Sequence, residues 1–378
     1  MVSGRRPMAQ TLRGFRLPSR SAVRGFCSSS VYRSSPSDST PSAASIASSF
    51  LSRFQSLGPQ TRTQTLDANQ LQLLSLTLNR PTLYADSPRL SNAAPPPSGT
   101  PLPPGYHLVY FTPAFLEGEL GADGTDVSYN ADAPFTRRMW AGGEVRWPRN
   151  ADGQVNPLRV GQEVTETTKV LGAEAKVVRK TGEEMVVVGV EKTFENEDGV
   201  AVIDRRNWIF RKALPLASSS SSPKEQPSPE PQPSQQTPAQ QPDITPSSPT
   251  AKIHTRTLTQ TPVTLFRFSA LTFNAHRIHY DVPWARNVEG HRGIVVHGPL
   301  NLISILDFWR DVRGNGGSTS SLIVPESIAY RATSPLYADE EYRIVLEEDG
   351  NNGKVQIYAP SGAVAMKADI KGNVNEQK

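Results

Sequence analysis

The chain has 378 residues, a formal net charge of +4 and a hydrophobic content of 37%. That hydrophobic share is low for a chain that folds along its whole length, so we expect about two domains together with linker or unfolded segments. The single cysteine, Cys27, excludes an internal disulfide, and no apolar stretch reaches the roughly 18 residues that a membrane helix needs.

Residues 1–37 contain seven arginines, many serines, no lysine and no acidic residue. This composition is typical of a mitochondrial transit peptide, so we expect the mature protein in the mitochondrial matrix; a disordered basic tail is the alternative. Without these seven arginines the chain has 33 basic and 36 acidic residues, a net charge of −3. That balance gives no indication of nucleic-acid binding.

Residues 38–105 are predicted to form a partly ordered N-terminal extension. The segment is rich in serine up to residue 60 and in proline at 93–104. Between these parts, the apolar spacing from Thr65 to Leu78 predicts a short helix with Asp67 as its cap.

Residues 106–212 are predicted to form the first folded unit. Gly182–Phe194 and Gly199–Phe210 are rich in β-branched and aromatic residues and flank a polar turn, which is typical of two paired strands. Leu171–Arg179 is predicted as a strand before them.

Residues 213–251 are predicted to be a disordered linker. Between residues 215 and 250 the chain has no aromatic residue and almost no apolar one, so it cannot bury enough surface to offset the entropy of folding. A linker of this length imposes little geometry on the units that it joins.

Residues 252–372 are predicted to form the second folded unit. A helix is expected to start at Thr261-Pro262, with threonine as cap and proline at the first helical position. Leu300–Trp309 is apolar on nearly all sides, which predicts a buried helix. The predicted strands of this unit are His254–Thr259, Ser321–Thr333, Glu341–Glu348 and Lys354–Asp369.

A helix buried by long antiparallel strands is an α+β arrangement. Both units follow it, with Phe135–Trp147 as the weaker counterpart of the central helix in the first unit. The sequence therefore predicts one fold present twice in the chain.

The stretch from Phe266 to Leu300 resembles the type 2 enoyl-thioester hydratase motif of the MaoC-like hot-dog family. In that motif a short helix ends in Leu-Ser/Thr, a loop carries Asp-x-Asn-Pro-x-His-x-Asp, and a later His-Gly opens the central helix. The matching positions are Leu271-Thr272 at the helix end, His279 at the catalytic histidine, Asp281 at the trailing aspartate, and His297-Gly298 at the helix start.

In the first half, Pro134–Gly143 (PFTRRMWAGG) resembles the N-terminal signature of fungal and bacterial members with two hot-dog units. These relatives include hydroxyacyl-thioester dehydratase type 2 and the mesaconyl- or itaconyl-CoA hydratases. The resemblance implies a double hot-dog fold in which a catalytic C-terminal unit faces a degenerate N-terminal unit that shapes the acyl tunnel.

The chain departs from the motif at three positions. Asn274 stands where the family has its catalytic aspartate, His276 replaces the asparagine, and Arg277 replaces the proline. An amide can hold a water or hydroxyl by hydrogen bonds but cannot accept a proton at neutral pH. The acid–base pair of the family is therefore incomplete at this loop.

The resemblance implies chemistry for the remaining groups. His279 is predicted to be the general acid and base, because imidazole titrates in the range that proton transfer needs. The N–H of Gly298 is predicted to hold the thioester carbonyl at the N-terminus of the central helix, where the helix dipole favours negative charge. Asn274 is expected to orient the hydroxyl or water, with an Asx turn as the alternative.

Supporting roles are predicted for two further side chains. Asp281 either orients His279 or closes its turn, and His297 is expected to support the start of the central helix through a hydrogen bond. His276 is expected to be structural or solvent-exposed. Arg137 and Arg138 are candidates for binding the phosphates of a pantetheine carrier, with surface ion pairs as the alternative.

No metal or other cofactor is expected. The H-x₂-H spacing of His276 and His279 lacks accompanying cysteine or carboxylate ligands, and the chain has neither a P-loop nor a G-x-G-x-x-G motif. A G-x-S-x-G nucleophile motif is also missing.

The expected partner is an acyl-CoA or acyl-carrier-protein thioester, bound by a monomer or homodimer. The first hypothesis is a (3R)-hydroxyacyl-thioester dehydratase of mitochondrial fatty-acid synthesis. The second is a mesaconyl- or itaconyl-CoA hydratase, and the third is an inactive scaffold that binds acyl thioesters.

Overall fold

A ten-stranded antiparallel sheet organises the computed structural model, which describes residues 40–179, 181–214, 246–314 and 322–372. The predicted transit peptide at 1–37 and most of the predicted linker at 213–251 lie outside the described residues. The strands are β1 (Gln60–Thr65), β2 (Arg137–Arg146), β3 (Glu163–Val177), β4 (Glu184–Asn196), β5 (Gly199–Arg211), β6 (Lys252–Thr259), β7 (Ser327–Ala332), β8 (Glu341–Asp349), β9 (Asn352–Tyr358) and β10 (Val364–Lys371).

Five α-helices and three short 3₁₀ helices accompany the sheet in the described residues. The α-helices are α1 (Ala43–Leu57), α2 (Ala68–Thr77), α3 (Pro262–Thr272), α4 (Val282–Asn287) and α5 (Gly298–Gly314). The 3₁₀ helices are Tyr106–Val109, Glu117–Glu119 and Arg277–His279. None of these helices is long and apolar enough to cross a membrane.

The strand order of the sheet contains an internal repeat. It runs β1-β3-β4-β5-β2 and then, in mirrored order, β7-β10-β9-β8-β6, so each half of the chain contributes five strands in the same connection pattern. The halves join where β2 pairs with β7, from Gly142 opposite Arg331 to Arg146 opposite Ser327. This topology agrees with the predicted α+β double hot-dog fold.

Helix α5 is the central helix of the second half. Leu300, Leu302, Ile303, Ile305 and Leu306 are fully buried, and each contributes roughly 1.5–3 kcal/mol by leaving water. The helix therefore has apolar contacts on nearly every side, as its sequence predicts.

The prediction of a helix at Phe135–Trp147 is wrong, because these residues contain strand β2. The glycine pair Gly142-Gly143 disfavours a helix, and the β2–β5 register shifts between Trp140 and Gly142. Between α2 and β2, where the second half has α5, the first half has only the short 3₁₀ helices Tyr106–Val109 and Glu117–Glu119.

The N-terminal region is more ordered than its serine content indicates. Ser42 caps α1, whose buried Ile46, Phe50 and Phe54 pack with β3 and β4 at helical spacing. Because β1 also pairs with β3, the first half of the sheet begins well before Tyr106.

The predicted secondary structure elsewhere agrees except in one hairpin. Helices α2 and α3 begin after their predicted caps, Asp67 and Thr261. The predicted strand Lys354–Asp369 is instead the hairpin β9–β10, whose turn contains Pro360 and Gly362.

Candidate active site

The motif residues lie on the loop that leads from α3 to α5. Helix α3 ends where Phe273 adopts a left-handed conformation, which turns the chain into the loop. The loop passes through the 3₁₀ turn Arg277–His279 and α4 before it reaches α5. The loop therefore connects the end of α3 with the start of the central helix α5.

His279 has one ring nitrogen fixed and the other free. Its Nδ1–H donates to the carbonyl oxygen of Val295 at 2.7 Å, which leaves the lone pair on Nε2. Burial, with a smaller effect from His276, lowers the pKa of His279 to about 3. The side chain is 8% exposed and lines the cavity described below. His279 is therefore a neutral imidazole whose Nε2 can accept a proton.

His297 links His279 to the central helix. The two imidazole rings stack with centroids 3.6 Å apart and an angle of 18° between the planes. The Nε2 of His297 lies 2.9 Å from the Oγ of Ser269 on α3. Burial lowers the pKa of His297 well below its usual value, so this ring is also neutral. The contact with Ser269 ties His297, which directly precedes Gly298, to α3.

Gly298 is the first residue of α5. Within the part of the chain that the structure describes, its N–H has no acceptor, as expected for the first turn of a helix. A Cβ on Gly298 would lie 2.4 Å from Cε3 of Trp140. The missing side chain therefore makes room for an indole from the first half.

Asn274 and His276 form the turn before His279. The N–H of His276 donates to Oδ1 of Asn274 at 3.1 Å, so the predicted Asx turn is present. In the described residues the amide nitrogen of Asn274 has no partner, and this side chain lines the cavity. Asn274 therefore combines a turn with a free donor.

His276 is buried rather than solvent-exposed. Its ring meets His279 edge-on at 5.4 Å, and its Nε2 lies 3.8 Å from Oδ2 of Asp123 in the first half. Burial lowers its pKa to about 3. The loop is held in place because the N–H of Arg277 donates to the carbonyl of Asp123 at 2.8 Å.

Asp281 closes the turn and does not hydrogen-bond to His279. The N–H of Trp284 donates to its Oδ1 at 3.0 Å, which caps α4, and Arg277 pairs with its Oδ2 at 2.6 Å. The hydrogen bond from Trp284 and the bond from Arg277 lower the pKa of Asp281.

Arg137 and Arg138 line the cavity but are paired inside the protein. Arg138 bonds to Asp126 at 2.5 Å and stacks over Trp208, while Arg137 lies 3.7 Å from Glu289. Both guanidinium groups are about four-fifths buried, so the alternative of a surface ion pair does not fit. Their charges are largely matched before any phosphate binds.

One cavity of about 1080 Å³ contacts both halves of the protein. His279, Asn274 and Gly298 line it from the second half. From the first half it is lined by Trp140 and by part of a group of charged side chains that we call the polar belt. The polar belt is Arg62, Glu166, Lys192, Asp204 and Arg206, all of which line the cavity except the buried Asp204 behind them.

The sequence prediction missed the polar belt, although the strands carry a signal for it. In β4 the inward positions are Val186, Val188, Val190 and Lys192, in strict alternation. A lysine in phase with three buried valines indicates an interior charge. Asp204 and Arg206 follow the same alternation in β5. No group of side chains suited to a metal ion occurs among the described residues.

Comparisons with known proteins identify the family of this chain. Residues 105–338 match the family hydroxyacyl-thioester dehydratase type 2. A mesaconyl-C(4)-CoA hydratase from Chloroflexus aurantiacus is 31% identical over 73% of this chain and 87% of its own length. A mitochondrial hydroxyacyl-thioester dehydratase type 2 from Schizosaccharomyces pombe is 27% identical over 67% of this chain and 80% of its own length.

A solved structure supports the fold. A MaoC-like dehydratase from Phytophthora capsici superposes with a TM-score of 0.51 at 14% identity, over 85% of this chain and 98% of its own. The matched family region contains His279, Gly298 and their neighbours. The chain therefore belongs to the hydroxyacyl-thioester dehydratase type 2 family, and it is a hydro-lyase.

Proposed function

We propose that this protein catalyses the reversible dehydration of (3R)-3-hydroxyacyl thioesters, with His279 as the single acid–base group. The observation that carries the proposal is that His279, whose Nδ1 is fixed on Val295, and Gly298, the first residue of α5, line the same cavity. The two residues are linked through His297, whose ring stacks on His279 and whose neighbour is Gly298.

The reaction begins at Cα of the substrate. Nε2 of His279 takes the α-proton, and the electron pair of the broken C–H bond moves onto the thioester oxygen. The N–H of Gly298 and the dipole of α5 stabilise this enolate. When the electron pair returns, the bond from Cβ to the hydroxyl breaks, and His279 gives its proton to the departing hydroxide. Hydration is the same sequence in reverse.

The protonation state of His279 agrees with this order of steps. Because burial keeps His279 neutral, its Nε2 is available as a base across the physiological range. The imidazolium forms only when the negative enolate forms beside it, and opposite charges in a buried site stabilise each other. We infer that the amide nitrogen of Asn274, whose side chain lines the cavity, donates to the substrate hydroxyl.

Two substrate classes remain candidates for the same chemistry. A role in mitochondrial fatty-acid synthesis, in the matrix, is supported by the Arg-rich segment 1–37 and by the mitochondrial relative from S. pombe. Hydration of a short dicarboxyl-CoA is supported by the charged wall of the cavity and by the mesaconyl-C(4)-CoA hydratase relative. Either carrier, CoA or acyl-carrier protein, delivers the same thioester to His279.

The proposal is tested by presenting the purified protein with 2-enoyl-CoA thioesters of different lengths. Loss of the absorbance of the conjugated thioester measures hydration. We expect turnover of at least one substrate, with a (3R)-hydroxy product. Binding of acyl-CoA without turnover of any of them would contradict the proposal and favour a scaffold.

A further inference from the structure

The polar belt carries more positive than negative charge. Glu166 is shared by Nε of Arg62 at 2.9 Å and by Nζ of Lys192 at 3.0 Å. Asp204 is paired with Arg206 at 2.6 Å. The belt therefore has three cations and two carboxylates. Lys192 is only 7% exposed and Asp204 is fully buried, whereas the Arg62 side chain is 41% exposed. A carboxylate bound at Lys192 and Arg206 would match the excess positive charge through charge-assisted hydrogen bonds.

Two cations of the belt keep donors that no group among the described residues accepts. Arg206 gives its Nε and Nη2 to Asp204, and its Nη1 has no acceptor within the described ranges. Lys192 bonds to Glu166 and to Oγ1 of Thr168, each at 3.0 Å, which leaves one of its three N–H groups. Both side chains line the cavity, so these donors are available to a ligand there.

The sheet places these donors close to the proposed thioester site. Trp140, whose ring abuts Gly298, pairs across the sheet with Trp208. Arg206 lies two residues from Trp208 and faces the same side, a step of about 7 Å along a strand. A short acyl chain held at Gly298 would thus end at the belt.

We propose that the polar belt binds the distal carboxylate of a short dicarboxylic acyl thioester, with Arg206 and Lys192 as its donors. This inference rests on the proposed function, because the thioester end must lie at His279 and Gly298. A carboxylate neutralises the excess charge, whereas an alkyl chain would desolvate the charged groups without replacing their hydrogen bonds. The belt therefore selects for an acidic end and against a methyl end.

The test uses substrate pairs that differ only at the distal end. Fumaryl-CoA and crotonyl-CoA are four-carbon 2-enoyl thioesters that end in a carboxylate and a methyl group, and the hexenedioyl and hexenoyl thioesters form the six-carbon pair. For the full-length protein we expect kcat/KM to favour the acidic member of at least one pair about tenfold or more, the effect of one charge-assisted hydrogen bond.

Variants on opposite faces of β5 assign this preference to the belt. Arg206→Gln removes the charge, and we expect the acidic-to-methyl ratio of kcat/KM to fall at least about tenfold. Arg206→Lys keeps the charge, so we expect it to retain part of the preference for the acidic substrate. Arg205→Gln is the matched control, because Arg205 is the neighbour on the outer face and pairs with Glu191 at 2.7 Å. We expect this control to leave kcat/KM unchanged for both substrates.

The outcomes separate the two proposals. Equal or better turnover of both methyl-ended substrates by the unaltered protein would overturn the carboxylate subsite and leave the hydro-lyase chemistry of His279 standing. Turnover of neither series would overturn both. A preference for the acidic substrates that survives in Arg206→Gln and in Lys192→Met would also overturn the assignment to these donors.

Discussion

Adding a single methyl group at Gly298 should destabilise the junction between the two halves. The new Cβ would lie 2.4 Å from Cε3 and 3.1 Å from Cζ3 of Trp140, where carbon atoms normally stay about 3.5–4.0 Å apart. The indole would have to move by more than about 1 Å. It cannot do so freely, because its ring packs edge-on against Tyr330 at 5.3 Å. Overpacking of this kind costs about 1–3 kcal/mol.

Urea unfolding of Gly298→Ala, followed by circular dichroism, measures this cost. Trp140→Leu removes the obstructing ring, so the double variant should recover about 1 kcal/mol or more relative to the sum of the single changes. Gly172→Ala is the matched control, since nothing lies within 4 Å of the added methyl group there. A Gly298→Ala protein as stable as the unaltered one, or strictly additive effects, would refute the contact between indole and helix start.

Two further predictions concern stability. Because His276 and His279 have pKa values of about 3 in the folded protein, against about 6.5 when unfolded, the unfolded chain binds more protons as the pH falls below 6.5. Each residue should therefore lower the free energy of unfolding by about 1.4 kcal/mol per pH unit between roughly pH 6 and pH 4. Urea unfolding at several pH values should show this slope and a shallower one in His279→Gln; equal slopes would contradict the buried neutral ring. Phe50→Ala in α1 should cost about 3–5 kcal/mol, because Phe50 is fully buried and contacts Phe54 and Phe210, whereas Leu57→Ala at an exposed site should change stability by less than about 0.5 kcal/mol. An equally small effect of Phe50→Ala in thermal unfolding would show that α1 is not part of the fold.

The fold of the second half could be predicted because its signals are local. Thr261 and Pro262 mark the start of α3, and the apolar surface of Leu300–Trp309 identifies a buried helix. In the first half, the β-branched residues of β4 and β5 are an equally local signal. Helix caps and apolar periodicity depend on residues that are neighbours in sequence, so they can be predicted without the fold.

The first half was harder to predict because its structure depends on distant partners. Ile46, Phe50 and Phe54 are spaced as in a helix, but the serines between them have the composition of a disordered segment. Residues of β2 are placed by pairing with β5 and with β7, from a part of the chain almost 190 residues away. A half that has five strands but no α-helix between α2 and β2 gives few local signals.

The site also combines residues with local sequence signals and residues placed by distant contacts. His279 and Gly298 are candidates that the sequence supplies by itself, because both belong to a motif within one loop. The contact of Trp140 with Gly298 and the approach of Asp123 to His276 join residues from opposite halves. Four residues of the polar belt, from the first half, line the same cavity as the motif residues of the second half. These contacts depend on the folded sheet and have no signal within one stretch of sequence.

The decisive measurement compares turnover and binding in His279→Ala. If Nε2 of His279 carries the proton, kcat for enoyl-CoA hydration should fall about 10²–10⁴-fold, while the Kd of a saturated acyl-CoA and the circular dichroism spectrum stay the same. His254→Ala should keep full turnover, because His254 pairs with Glu348 and lies outside the residues that line the cavity. A His279→Ala protein that binds acyl-CoA and hydrates enoyl-CoA at the unaltered rate would contradict acid–base chemistry at this imidazole.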